Sequence, residues 1–199
     1  MGQADATTKR IMLTLLNEFT ARHTVTSLAQ QLEFSRVGTW KALRKLETAG
    51  YVLFEKIGEG KTSVITMQLN WENMLVEKYL ALYLTEEALT QRRWRSTFTE
   101  LEPLLDFMLV YGSALRTPQH AHDIDILGVS SGKRFTNIDK KIQSIQKMQL
   151  KKNHLIMFSE KELADELRKL NPAFVNAIKN GVVLFGQDQF IRFMRGLQS

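Results

Sequence analysis

The spacing of apolar residues changes along the chain, and each change predicts an element. From about Thr8 to Ala21, Ile11, Leu15, Leu16 and Phe19 recur at helical spacing behind a threonine suited to capping. A shorter helix is expected over Thr26–Leu32, where Leu28 and Leu32 lie four apart. Phe34-Ser35 reads as a turn, with Ser35 the N-cap of a third helix to about Ala49, which Gly50 ends. On that helix Trp40, Leu43 and Leu46–Glu47 point one way, the expected core side, and Gly38, Lys41 and Lys45 the other, with Arg36 and Arg44 flanking. YVLFEKI and TSVITMQL then predict a β-hairpin whose basic tip is Gly58-Glu59-Gly60-Lys61. Trp71 to about Leu101 is helical throughout, with Leu75, Tyr79, Leu82 and Tyr83 as one stripe, Phe98, Leu101 and Leu105 as a second, and Thr85-Glu86-Glu87 as the expected break. Beyond it, Phe107–Tyr111 predicts a buried strand, Arg134–Leu150 an amphipathic helix and Asn153–Phe158 a further strand.

Composition narrows what these elements can do. With 199 residues, 44% of them hydrophobic, the chain has room for two small cores. It has no cysteine, which excludes disulfides, zinc–thiolate sites and thiol nucleophiles. MGQADATTKR is polar and no apolar run reaches the eighteen or so residues of a membrane span, so a cytoplasmic protein without a membrane partner is expected. The formal charge of +6 favours polyanionic partners. Residues 1–70 carry nine Lys/Arg against six Asp/Glu, half the surplus in about a third of the chain.

That concentration of charge bears on the first three helices. A tight turn joins the second and third, as in a helix-turn-helix, and SRVGTWKALRKLETAGYV resembles the recognition helix and first wing strand of winged-helix proteins. The resemblance implies double-stranded DNA as a partner, read through Arg36, Lys41, Arg44, Lys45 and Lys61, with Lys56 also near the hairpin tip. A solvated basic face or a protein-docking module are the other readings of the same pattern. Gln91-Arg92-Arg93-Trp94-Arg95 reads as a solvated helix face around a packed tryptophan, and the apolar stripe after Trp71 offers a seam for a homodimer.

The chemistry is concentrated in FMLVYGSALRTPQHAHDIDILGVS. Gly112-Ser113 follows a strand and opens a short helix; Asp123-Ile124-Asp125 follows nine residues later and runs into an apolar strand. Alternation puts Asp123 and Asp125 on one strand face. Two carboxylates so placed need a cation between them, and oxygen ligands suit Mg²⁺. Gly112 permits close approach of a phosphate, amides opening the helix offer donors, and Ser113 adds a hydroxyl, a set that suits a metal-bound triphosphate.

Strand, Gly-Ser, nine residues and Asp-x-Asp on a strand resemble the signature of the nucleotidyltransferase (polymerase-β-like) superfamily, and in particular its minimal prokaryotic members. NPAFVNAIKNGVVLFGQDQF resembles the closing helix and strand of that group, and a winged helix fused in front is an arrangement associated with archaeal proteins. The resemblance implies an α+β chain with a winged helix over 1–70, a helical connector over 71–104 and a nucleotidyltransferase-fold mixed sheet flanked by helices over 105–199. It also implies transfer of a nucleoside monophosphate from an NTP, with Gly112 and Ser113 on the triphosphate and Asp123 and Asp125 on Mg²⁺. The family's third carboxylate should lie on Asn153–Phe158, which contains no acid; His154 falls near the expected position and Glu160 just past the strand. His154 is then either a general base or a strand-end residue without a catalytic part. His120 and His122, on an apparent loop, either contact phosphate or have no role, the second being preferred. The acceptor is open, and a partner protein is one option by analogy with minimal nucleotidyltransferases that modify a ribonuclease. The competing reading is a transcriptional regulator whose C-terminal domain only senses nucleotide, and a weaker one a scaffold in which neither site functions.

Overall fold

A computed structural model describes residues 3–60 and 63–198. The chain is α+β, with ten α-helices among the described residues, a two-stranded antiparallel sheet and a four-stranded mixed sheet. It divides into two compact units, Met1–Tyr83 and Leu84–Ser199, the division falling inside a helix. No helix among the described residues is long and apolar enough to cross a membrane.

The first unit contains helices α1 (Gln3–Asn17), α2 (Val25–Leu32) and α3 (Arg36–Thr48) and a hairpin of β1 (Val52–Ile57) and β2 (Val64–Leu69). α1 starts five residues earlier than its apolar spacing suggests, because Gln3–Thr7 lie ahead of the first stripe residue. Thr24 caps α2 in a reciprocal capping box with Ser27. The Ser35 hydroxyl accepts the Gly38 amide at 3.0 Å and opens α3. At its other end the amides of Gly50 and Tyr51 donate to the carbonyls of Glu47 and Leu46, both at 2.8 Å. Gly50, at φ +73°, supplies the left-handed step that this closure requires.

Thr39, Leu43 and Leu46 are the buried face of α3. Trp40 is not part of it: the side chain is 41% exposed, tilted against Phe54 at 5.7 Å, with the Arg44 guanidinium over its ring at 5.6 Å. Thr39, one residue earlier, fills the core-facing position because its hydroxyl bonds the Ser35 carbonyl at 3.1 Å and leaves only its methyl to be packed.

α4 (Met74–Thr90) continues through Thr85-Glu86-Glu87 without the expected break. Buried Leu84 and Ala88 bracket those residues on one helix face, and the break comes at Gln91. Its buried stripe is Val76, Leu80, Tyr83 and Leu84; Leu75 and Leu82 from the expected stripe are each 51% exposed.

The second unit adds α5 (Arg92–Phe98) and a 3₁₀ segment (Thr99–Leu104), then β3 (Phe107–Tyr111), α6 (Ser113–Arg116), β4 (Asp123–Val129) and α7 (Phe135–Lys147). It closes with β5 (Lys152–Phe158), α8 (Glu160–Arg168), α9 (Pro172–Asn180), β6 (Val182–Phe185) and α10 (Gln187–Gln198). The sheet order is β5-β4-β3-β6, with β4 and β5 parallel across the α7 crossover and β3 antiparallel to both its neighbours. Met108, Val110, Ile124 and Ile126 join Trp94, Phe98, Leu101, Ile138 and Ile145 in a core on one face of the sheet. Trp94 is thus a core residue of the basic cluster, and Arg92 and Arg93 remain exposed. On the opposite face Phe107 packs on Phe190 and Phe193 of α10, and Phe158 on Phe174 of α9.

Candidate metal centre

That second face is covered by aromatic packing at one end only. Pairing Phe107↔Val129, Leu109↔Leu127 and Tyr111↔Asp125 puts these residues on one side of the sheet, so the face changes from apolar to acidic along β4. Asp125 and Asp123 stand at its uncovered end with relative side-chain exposures of 30% and 37%. Ile124, between them, is buried in the core on the far side.

The parallel register of β4 and β5 sets Asp125 opposite His154. The His154 Nδ1 lies 3.4 Å from Asp123 Oδ2 and 3.8 Å from Asp125 Oδ1. One donor atom from each of the three residues falls within 4.8 Å of the others. Ligands of a six-coordinate divalent ion at about 2.1 Å lie about 3 Å apart, so small side-chain rotations suffice to close these three on one ion. Glu160 opens α8 beyond the end of β5 and is not in the cluster.

Gly112 makes room for the acidic pair. It holds φ +78° and ψ −153°, a conformation confined to glycine, and a Cβ there would stand 2.3 Å from Asp125 Oδ2. The missing side chain makes room for the carboxylate itself, a constraint separate from phosphate approach. Ser113 follows on the exposed start of α6, which is only four residues long. The loop before β4 is fastened by amides of His120 and Ala121 donating to the Thr117 carbonyl at 3.0 Å, and by Lys151 Nζ donating to the Ala121 carbonyl. His120 and His122 are exposed and outside the three-residue cluster.

The electrostatics match the crowding. Burial, and then the charge of Asp123, push the Asp125 carboxyl above its ordinary value of 3.8, with His154 acting in the opposite sense. Burial and the Asp125 charge likewise raise the Tyr111 phenol above 10.0. A carboxylate made uncomfortable by a like charge beside an open face is the kind of group that a cation stabilises. No pattern in the sequence singles out Tyr111 or Lys151: strand register brings Tyr111 beside Asp125, and loop closure brings Lys151 to the segment before β4.

In the first unit Arg36, Lys41, Arg44 and Lys45 are all exposed on α3, and Arg44 is ion-paired with Glu47. Lys61 lies outside the described residues. Beside them runs an open groove of about 660 Å³, lined in part by Thr24, Arg36, Val37, Trp40, Val64 and Ile65. Comparison of the chain with known protein families, with characterised proteins and with solved structures finds no match.

Proposed function

We propose that the second unit is a nucleotidyltransferase-fold domain that transfers a nucleoside monophosphate from an NTP, and that the first is a winged helix that binds double-stranded DNA. The observation carrying the first part is that the Gly-Ser turn, both carboxylates and His154 share one end of one sheet face, with Gly112 against Asp125. Asp123 and Asp125 hold the metal, Mg²⁺ by family resemblance; Ser113 and the neighbouring amides bind the triphosphate. α6 is too short to supply a strong helix dipole, so the phosphate is held by individual donors.

An ion held by Asp123 and Asp125 would supply charge neutralisation on the triphosphate and so favour attack at its α-phosphorus. An acceptor hydroxyl oxygen then bonds to the α-phosphorus, the bond to the α–β bridging oxygen breaks, pyrophosphate leaves, and the acceptor proton passes to solvent. The identity of the acceptor is open, a partner protein being one option by analogy.

Support for the DNA part is the row of exposed cations on α3 next to a β-hairpin. Val37 and Trp40, exposed among those cations, suit apolar contact with base edges. Exposed Leu75 and Leu82 on α4, seven residues apart, supply the apolar seam of a homodimer.

The test is calorimetric titration of Mg²⁺ with ATP or GTP analogues that cannot be cleaved at the α–β bond, into wild type and Asp125→Asn. Metal-dependent binding that disappears in the variant is expected, and absence of binding in both proteins would remove the nucleotide from the proposal. The second reading, a nucleotide-sensing regulator without turnover, is favoured by one observation: β5 carries no acid beside the pair. It predicts nucleotide binding that changes DNA affinity, with no pyrophosphate released.

A further inference from the structure

The ligand set of this centre differs from an all-oxygen one in a single respect, and that respect selects the class of ion. β5 reads Lys152-Asn153-His154-Leu155-Ile156-Met157-Phe158, so the residue set opposite Asp125 brings an imidazole nitrogen and no carboxylate. Nδ1 is the ring atom directed at the acids, at 3.4 Å and 3.8 Å from their oxygens. Backbone pairing along the whole of β4 and β5 fixes that position, and the Asn153 backbone N–H donates to Gln146 Oε1 at 2.7 Å.

Mg²⁺ is a hard ion that binds oxygen and surrenders water reluctantly, so it gains little from an imidazole. Mn²⁺ keeps the affinity for carboxylate and phosphate oxygens and, as the first and weakest member of the transition-metal series, gains more from a nitrogen donor than Mg²⁺ does. Fe²⁺, Ni²⁺, Cu²⁺ and Zn²⁺ take imidazole more strongly still, so the nitrogen donor ranks transition metals above Mg²⁺ without choosing among them. All three side chains are 30–43% exposed, which leaves coordination positions open to water and to substrate oxygens. The geometry points to a transition-metal centre, with His154 Nδ1 as a direct ligand beside Asp123 and Asp125, Mn²⁺ as the ion that probes it and Mg²⁺ the weaker ion. The inference rests on the reading of this cluster as a metal site.

The experiment uses the full chain and the metals alone. Mn²⁺ is titrated by electron paramagnetic resonance into wild type, His154→Asp, His154→Gln and Asp125→Asn, each checked for folding by thermal unfolding, and Mg²⁺ is then added in competition. Wild type is expected to prefer Mn²⁺ on the order of tenfold and to show nitrogen-14 modulation in the pulsed spectrum of the bound ion. His154→Asp is expected to keep metal, lose the nitrogen signal and bind the two ions about equally, while His154→Gln also loses the signal. Equal competition by Mg²⁺ in wild type, or bound Mn²⁺ without nitrogen modulation, would overturn the inference while leaving a metal-dependent transferase intact. Tighter binding of both ions by His154→Gln would overturn it too, since His154 would then be a counter-ion of the acids. Absence of Mn²⁺ and Mg²⁺ binding in wild type would defeat both this inference and the metal site under it.

Discussion

Gly112→Ala tests the architecture of the centre without touching a proposed ligand. The substitution meets two penalties. At φ +78° and ψ −153° the backbone lies where only glycine rests comfortably, and forcing alanine there costs about 1–3 kcal/mol. The new methyl would also stand 2.3 Å from Asp125 Oδ2, 3.3 Å from its Cγ and 3.6 Å from its Cβ. Asp125 can escape by rotating its carboxylate, but rotation takes the oxygen away from Asp123 and His154. A total loss of about 2–4 kcal/mol is expected, a fall in the unfolding midpoint of roughly 10 °C for a domain of this size. Calorimetric titration should show metal affinity weakened on the order of tenfold or more, because a ligand has been displaced. A double-mutant cycle separates the penalties: with Asp125→Ala in the background the collision disappears and only the backbone cost remains. If Gly112→Ala unfolded like wild type, or cost as much with Asp125→Ala as without it, the packing of this turn against the carboxylate would be refuted.

Three further outcomes follow from other parts of the chain. The Glu162 carboxylate accepts from the Ser159 amide and hydroxyl, both at 2.7 Å, which holds it below its ordinary 4.5. The stabilisation is therefore fully present above that value and lost as pH falls through the lowered one, so Glu162→Gln should flatten the fall of the unfolding midpoint between pH 5 and pH 3 (approximate limits). Gly196 is exposed in α10, and a Cβ added there would meet nothing within 4 Å, so Gly196→Ala should add about 0.5 kcal/mol, read as a higher denaturant midpoint. Lys41→Glu/Lys45→Glu should weaken binding to duplex DNA and flatten the slope of log K against log salt by about two, and parental binding by this variant would remove α3 from the interface.

Local rules are legible in the sequence because their causes lie within a few residues. Ser35 caps α3 through an amide three residues on, and Gly50 closes it through carbonyls of the preceding turn. Alternation along β4 places Asp123 and Asp125 on one face whatever surrounds the strand. The family resemblance draws attention to His154, but its distance from the acids depends on the register of two strands joined through α7, and no local period carries that register. Trp40 shows a similar limit, since helical spacing defines a stripe while packing makes Thr39 its buried edge. Thr85-Glu86-Glu87 has the residues of a helix start, yet burial of Leu84 and Ala88 carries α4 through them. The second reason for Gly112 is invisible for the same cause: the carboxylate that needs its space lies thirteen residues away in the chain and touches it only because β3 and β4 pair. Short-range hydrogen bonding and periodicity are properties of a segment, so most elements and the acidic pair can be read without a fold. Which faces are buried and which donors meet depend on pairing and packing between distant segments, and those are settled only when the chain closes on itself.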